Sequence, residues 1–424
     1  MPPMNQPTRS FLTNRWLQLS LGIIGMISVT NLQYGWTFFV PAIADKYHWK
    51  GWTEPDIQVA FAIFVLAETW LVPIEAYLAD VFGSRLLVFV GGILVAAAWI
   101  NNSAADSLFL LYFGNAVGGA GAGIVYGISI GNALRWFPDR RGLAAGLTAA
   151  AFGAGSAITV IPIQATIEQA GYEAAFFWFG IGQGAIVLVV ALLMRTPRLI
   201  PSPSSKVMQT VRDFSPLEVL RTPLFWLLYA MMTLVTVGGL VAIAELKPMA
   251  RSFGVANVTF LILGYAITAL SLAALLDRIM GGITRPIFGW ISDHIGREKT
   301  MFIAFTLEAG AIFGWIMLGH VPELFVLYSA LTLFFWGEIY SLFPALCGDM
   351  FGRKYAATNY ALLYTAKGTA SLFVPLGSYL YQTTQSWTPI LSLAIVFNVL
   401  VAFTAMFVLR PLRKRWGTSI SPER

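Results

Sequence analysis

Long apolar stretches alternate with short polar connectors over almost the whole chain. A helix that crosses the hydrocarbon core of a bilayer needs about 20 mostly apolar residues. Twelve stretches meet that need, so the pattern predicts an all-α membrane protein with twelve transmembrane helices. The predicted segments lie near residues 15–40, 56–79, 86–103, 107–134, 143–167, 174–194, 223–246, 258–291, 300–318, 323–347, 359–382 and 387–410.

A polar stretch separates the twelve segments into two groups of six. Residues 195–222 contain proline, serine and several basic residues and show no apolar periodicity, which is typical of a linker. We therefore expect an N-terminal six-helix bundle at 1–194, a cytoplasmic linker at 195–222, and a C-terminal six-helix bundle with a basic cytoplasmic tail at 223–424.

The two groups share a repeated sequence. Residues 80–85 after the second segment read Asp-Val-Phe-Gly-Ser-Arg, and residues 293–297 after the eighth read Asp-His-Ile-Gly-Arg. Duplicated halves are common in secondary transporters, where the two copies form pseudo-symmetric bundles around one substrate site. The repeat therefore predicts a transporter built from two related halves.

The repeated motif also predicts a gate. Asp80 and Asp293 lie at helix C-termini, where the helix dipole disfavours a carboxylate, so each needs a basic partner or a helix N-terminus nearby. Arg85 and Arg297 belong to the same motifs. Contacts of these four residues would hold the cytoplasmic side closed and break on opening. The alternative is plain capping of the two connectors without any gating.

Composition and charge agree with a membrane location. The chain is 57% hydrophobic and 11% charged, with a mean hydropathy of +0.70, whereas a soluble domain is about a quarter charged. The basic residues of this +6 chain follow the connectors on one side, which favours a multi-pass protein of the cell inner (plasma) membrane with both termini in the cytoplasm. No basic patch indicates a nucleic-acid partner.

Other functional classes lack their usual residues. The single cysteine excludes an internal disulfide, and the three histidines show no metal-ligand spacing. Glycines at every fourth position from Gly119 to Gly131 lie in a wholly apolar segment that no strand precedes, so they predict close helix packing rather than a nucleotide loop. The segments contain no catalytic constellation, so we expect no enzyme, no metal, no cofactor and no nucleotide, in a chain that acts as a monomer.

Three cations lie within the apolar segments, and two of them lie near the middle of the membrane. A charge at the bilayer centre costs roughly 2.5–3.5 kcal/mol, so such residues are functional candidates. Arg285 and Lys367 each lie about 12 Å from the cytoplasmic end of their segments, and Tyr126 and Tyr340 lie at nearly the same depth. Together with Trp336, they predict a cage for a small, flat anion, in which a net charge of two favours a dicarboxylate.

Two glutamates of the second segment leave the roles of these cations open. Glu68 lies about 18 Å deep and Glu75 about 8 Å deep, on the same helix face. Either glutamate could pair with Arg285 or Lys367 in a purely structural role. Alternatively, Glu68 could carry a proton across the membrane. The partner role for Lys367 is slightly favoured.

The sequence resembles a known family. The repeated Asp-x-x-Gly motif is similar to the signature of the major facilitator superfamily, and further local matches resemble its oxalate:formate antiporter family. These matches are residues 14–16, 33–37, 123–127, 135–142, 285–286, 336–344 and 366–371.

The resemblance implies a binding mode and a mechanism. Arg285 and Lys367 would bind the two carboxylates of oxalate, and the transporter would alternate between inward-facing and outward-facing states. Exchange of divalent oxalate for formate would then move net charge. The residues that the resemblance places around the substrate are Gln33, Tyr34, Tyr126, Trp336 and Tyr340.

The sequence departs from the family pattern at several positions. Phe152 replaces a tyrosine, Tyr364 replaces a tryptophan, and Glu68 and Glu75 occupy a stretch that is usually rich in glutamine and glycine. An acidic group near the pathway suits a proton-coupled monocarboxylate symporter, which is the alternative function. A more distant alternative is a membrane sensor that binds an anion without transporting it.

Overall fold

A computed structural model describes residues 11–137, 141–195, 212–262, 264–352 and 355–413 of the 424-residue chain. Most of these residues are helical, which confirms the all-α class. In the described ranges, strands occur only as one two-stranded antiparallel hairpin, formed by β1 (Thr259–Ile262) and β2 (Tyr265–Thr268).

In the described part of the chain, nine α-helices precede the linker and are called the N-terminal helices here. They are α1 (Arg15–Val29), α2 (Asn31–Tyr34), α3 (Trp36–Tyr47), α4 (Glu54–Trp70), α5 (Val72–Phe82), α6 (Ser84–Ala104), α7 (Leu108–Trp136), α8 (Arg141–Ala154) and α9 (Val160–Leu193).

A short helix, α10 (Pro216–Leu220), lies within the linker, and the C-terminal helices follow it. These are α11 (Pro223–Ser252), α12 (Ala269–Ile295), α13 (Arg297–Leu318), α14 (Pro322–Trp336), α15 (Ile339–Phe351), α16 (Ala356–Ser371), α17 (Phe373–Thr384) and α18 (Thr388–Phe403), which continues into a π-helical stretch at Thr404–Leu409.

The helices match the predicted segments, although several are interrupted. Among the described residues, eight helical stretches are long and apolar enough to cross a membrane, and one of them, Gly146–Leu193, covers most of the fifth and the sixth segment. The chain bends between these two at Gly171, which has a φ of 86°. The first and eleventh segments are broken into shorter helices, and the eighth carries buried charges.

The predicted start of the eighth segment, at residue 258, is wrong. Residues 259–268 form the β-hairpin, and α12 begins only at Ala269, where the Thr268 side chain accepts a hydrogen bond from the Ser271 amide. The hairpin turns at Gly264, whose φ of 85° suits glycine. The strands contain β-branched and aromatic residues, which favour extended structure in this apolar stretch.

The sequence repeat is also visible in the backbone. Gly83 ends α5 with φ 88° and ψ 142°, and Gly296 ends α12 with φ 94° and ψ 150°. A side chain would be strained in this conformation, so both motifs use glycine to turn directly into the next helix. The two connectors therefore share one local geometry.

The described end of the linker packs on the C-terminal helices. The Phe214 amide donates to the Phe351 carbonyl over 2.9 Å, and Asn359 donates to the Phe214 carbonyl over 3.1 Å. Ser215 caps α10 through hydrogen bonds to Glu218, and these hydrogen bonds hold the pKa of that carboxyl below its usual value. The linker therefore contains local structure that its polar composition did not predict.

The N-terminal and C-terminal helices meet along the centre of the molecule. Helix α4 packs on α16 and α17, α8 packs on α12, and α3 packs on α11. Polar and charged side chains that face this seam are buried between the two groups of helices. The seam is where the predicted cage residues converge.

Candidate functional site

Lys367 of α16 lies at the centre of the seam and is 1% exposed. Its ammonium nitrogen is 2.7 and 3.0 Å from the two carboxylate oxygens of Glu68, 3.0 Å from Gln33 Oε1 and 3.2 Å from the Tyr364 hydroxyl. An ammonium group has three N–H donors. Groups of the protein itself therefore occupy all the donors of Lys367.

Arg285 of α12 lies nearby in a different environment. Its guanidinium carbon is 4.6 Å from the centre of the Tyr340 ring, and Nη1 donates to the Ala149 carbonyl. Gly153 of α8 makes room for the guanidinium, because a Cβ added there would lie 3.0 Å from Nη2. Arg285 Nε is buried and has no hydrogen-bond partner among the described residues.

Aromatic rings form the walls around the two cations. Tyr126 stacks on Tyr364 at 5.3 Å with an interplanar angle of 3°. Phe152 packs edge-on against Tyr126 at 5.1 Å and against Tyr34 at 5.8 Å, and it lies 5.4 Å from the Lys367 ammonium. Flat walls and cationic ends suit a small planar anion.

Three buried donors in this cage have no partner in the described part of the chain. They are Gln33 Nε2, Arg285 Nε and the Tyr340 hydroxyl. The side-chain oxygen of Gln33 accepts from Lys367, whereas its amide nitrogen has no partner among the described residues. Buried polar groups are nearly always hydrogen-bonded, so unpaired donors around a cation indicate a place for an acceptor that is a ligand or water. A carboxylate offers such acceptors.

Glycines of α7 place the two glutamates. A Cβ added to Gly123 would lie 2.6 Å from the Glu68 carbonyl and 2.8 Å from Glu75 Oε2, so α7 approaches α4 and α5 closely. The predicted close packing holds at Gly119 and Gly123, whereas nothing lies within 4 Å of a Cβ added to Gly131. Glu75 is 5% exposed, and neither of its carboxylate oxygens has a hydrogen-bond partner among the described residues.

The structure adds two features to the predicted cage. The net charge of two is reduced because Glu68 pairs with Lys367 inside the cage, as a buried cation requires. The indole N–H of Trp336 is unavailable because it donates to the Thr236 carbonyl over 3.2 Å. Trp336 instead supports Tyr340, whose ring is 5.3 Å away.

Arg278 is a buried cation that was absent from the predicted cage. It lies two turns before Arg285 on α12 and donates to the Tyr34 carbonyl over 3.1 Å, with its guanidinium carbon 4.8 Å from the Tyr34 ring centre. A charge in an apolar segment is the signal that marks it. Its ring contact links it to the outer wall of the cage.

The second copy of the repeated motif belongs to a charged cluster at the end of α12. Arg297 is 2.7 Å from Asp293 and 3.5 Å from Asp349, whereas Arg413 is 3.0 Å from Asp349 and 2.9 Å from Glu298. These contacts join α12, α13 and α15 to the end of the last helix. The cluster lies within the C-terminal helices.

The first copy of the motif is described only in part. Arg85 is exposed, and the side chain of Asp80 lies outside the described residues. The gating prediction for these two residues therefore stays a prediction.

Comparisons with known proteins support a transport function. A family model of the Major Facilitator Superfamily matches residues 21–282 and 241–423. The chain is 33% identical over 428 residues to the oxalate:formate antiporter of Oxalobacter formigenes, covering 99% of this chain and 98% of that protein.

Two other relatives are more distant. The chain is 26% identical over 376 residues to the MFS-type transporter YhjX of Escherichia coli, covering 86% and 87% of the two chains. It is 25% identical over 344 residues to monocarboxylate transporter 12 of Xenopus laevis, covering 74% and 72%. Carboxylate carriers therefore recur among the relatives.

Proposed function

The chain belongs to the major facilitator superfamily and, within it, to the oxalate:formate antiporter family, and from this premise we propose that it exchanges small carboxylates across the cell's inner membrane by alternating access. Oxalate and formate are the proposed pair of substrates. The proposed carrier is a monomer with both termini in the cytoplasm, built from halves at 1–194 and 223–424 that the linker at 195–222 joins.

One observation carries this proposal. Arg285 lies in a closed aromatic cage between the N-terminal and C-terminal helices, and buried donors around it lack partners among the described residues. In alternating access, the substrate site lies where the two halves meet and becomes accessible from each side in turn. A carboxylate bound to Arg285, Gln33 and Tyr340 would contact both groups of helices.

The seam contains contacts that alternating access would break. At the end of the seam near α3 and the start of α4, the Lys247 amide donates to Thr37 Oγ1 over 2.7 Å, and Gln58 donates to the Ala244 carbonyl over 3.1 Å. Individual hydrogen bonds contribute roughly 0.5–1.5 kcal/mol each. We propose that this end opens to the exterior and that the Arg297 cluster stabilises the opposite, cytoplasmic end.

The pairing of Glu68 with Lys367 favours a second candidate function. A buried glutamate that contacts a substrate-binding cation could release that cation when it binds a proton. The protein would then carry a monocarboxylate together with a proton, as a symporter. This candidate uses the same cage and differs in what crosses the membrane with the substrate.

Uptake of labelled oxalate into proteoliposomes separates the two candidates. Vesicles are preloaded with formate, oxalate or buffer and assayed with and without an imposed proton gradient. Exchange predicts uptake that requires an internal carboxylate. Uptake into buffer-loaded vesicles that follows the proton gradient would support the symporter, and absence of carboxylate uptake under every condition would contradict both.

A further inference from the structure

Glu68 binds Lys367 in the way that a substrate carboxylate would. Both of its oxygens lie within 3.0 Å of the ammonium nitrogen, and Oε1 also accepts a hydrogen bond from the Tyr364 hydroxyl at 3.3 Å. Glu68 is 0% exposed. One of the two cationic ends of the cage is therefore already occupied by a carboxylate of the protein.

The presence of Glu68 in the cage determines which substrate charge would make the cage neutral. Arg285 and Lys367 together carry two positive charges, and an ionised Glu68 leaves one. A monocarboxylate at Arg285 then makes the cage neutral. A divalent dicarboxylate would leave one buried negative charge in excess, which costs several kcal/mol in a desolvated site.

We propose that Glu68 is an internal counter-carboxylate, which is ionised when the cage holds a monocarboxylate and takes up one proton when the cage holds a dicarboxylate. The inference rests on the proposed exchange function. The second carboxylate of the substrate needs Lys367 and displaces Glu68 from it. A carboxylate that is buried without its cation binds a proton instead of remaining charged.

Other titratable groups surround Glu68 and Lys367. The other carboxyl near it is Glu75 of α5, and the tyrosines that interact with it come from α2, α7, α15 and α16. Arg285 of α12 interacts with Lys367. The tyrosines are Tyr34, Tyr126, Tyr340 and Tyr364.

The proposal makes exchange electroneutral, whereas exchange without a proton on Glu68 would move net charge. A dicarboxylate with two negative charges crosses in one direction together with one proton, and a monocarboxylate with one negative charge crosses in the other. Each direction therefore moves one net negative charge, and the proton leaves Glu68 when Lys367 becomes available again. Exchange of one monocarboxylate for another moves no proton.

The test uses proteoliposomes that contain formate and a pH-sensitive dye. On addition of labelled oxalate, the wild-type protein is expected to acidify the lumen by one proton per oxalate taken up. A potential set with potassium and valinomycin should leave the rate unchanged, because no net charge crosses the membrane. External formate should exchange without any pH change.

Variants at buried carboxylates sharpen the test. Glu68→Gln is expected to abolish the pH change, and any oxalate uptake that remains should become sensitive to the potential. Glu308→Gln removes another buried carboxylate, on α13 and outside the cage, and should behave like the wild type. Glu75→Gln should also retain proton uptake, because Glu75 makes no contact with Lys367 in the described structure.

Three results would overturn the inference. Wild-type exchange of oxalate for formate without proton uptake and with a dependence on potential would contradict it while leaving the exchange function intact. Proton uptake that persists in Glu68→Gln, or that is lost in Glu75→Gln alone, would assign the proton to another group. Absence of any carboxylate exchange by the wild type would remove the proposed function and the inference together.

Discussion

The two cationic ends of the cage differ in what the protein provides for them. Lys367 contacts Glu68, Gln33 and Tyr364, so its donors are occupied. Arg285 donates to one backbone carbonyl and packs on Tyr340, while its Nε has no described partner. A buried cation needs compensation, and only one of these two receives a full negative charge from the protein. The difference supports the proposal that a substrate carboxylate binds at the Arg285 end.

The two ends of the cage also join the N-terminal and C-terminal helices in different ways. Glu68 and Gln33 come from the N-terminal helices, and Lys367 comes from the C-terminal helices, so the Lys367 end holds the two groups together. Arg285 contacts the N-terminal helices through Tyr34 and through the Ala149 carbonyl, which a substrate oxygen could replace. The bound substrate at the Arg285 end and the Glu68–Lys367 pair at the other end would then both connect the two groups of helices across the seam.

The largest expected effect comes from breaking the Lys367 end. Lys367→Gln leaves Glu68 buried without its cation, which should lower the free energy of unfolding by about 3–5 kcal/mol. Oxalate uptake should fall by about two orders of magnitude or more, since both the second carboxylate site and the local packing are lost. Denaturant unfolding in detergent and uptake into proteoliposomes measure the two effects.

The double variant is the control for that experiment. Lys367→Gln with Glu68→Gln removes both charges, so most of the lost stability should return. Oxalate uptake should stay low, because the second cation is still missing. A double variant that is as unstable as Lys367→Gln would show that Glu68 is not the partner that matters.

A smaller effect is expected from the hydroxyl groups of two stacked tyrosines. Only the Tyr364 hydroxyl contacts Lys367 and Glu68 in the described structure, although Tyr126 stacks on the same ring. Tyr364→Phe should therefore raise the KM for oxalate about threefold to tenfold, which corresponds to one hydrogen bond of about 1 kcal/mol. Tyr126→Phe, assayed in parallel, should change it less. Equal effects on the KM would show that the contacts of the Tyr364 hydroxyl with Lys367 and Glu68 do not contribute specifically to oxalate binding.

The sequence predicts the helices and the similar depth of the two cations, and the reason is physical. Long apolar stretches determine a membrane helix almost by length alone, and cations within them are rare enough to mark the site. Arg285 and Lys367 were identified in this way, and the structure places them in one aromatic cage. Depth along a helix was enough to bring them together.

Interactions across helices were harder to predict. Spacing gives the depth of Glu68 but does not decide which cation its side chain reaches, so two partners and a proton-carrying role stayed open. The hydrogen bond from Trp336 to a backbone carbonyl depends on the close approach of α11 and α14, which periodicity does not report. The β-hairpin was missed because an apolar strand and the start of an apolar helix look alike at short length.

The proposed mechanism depends most directly on the binding of a carboxylate at Arg285. We would measure the thermal unfolding of the detergent-solubilised protein with increasing formate and oxalate, in the wild type and in Arg285→Gln. Arg251→Gln is the control, since it removes an exposed cation at the end of α11. If a carboxylate binds at Arg285, both anions raise the unfolding temperature of the wild type and of Arg251→Gln, whereas neither anion stabilises Arg285→Gln. Equal stabilisation of all three proteins would contradict it.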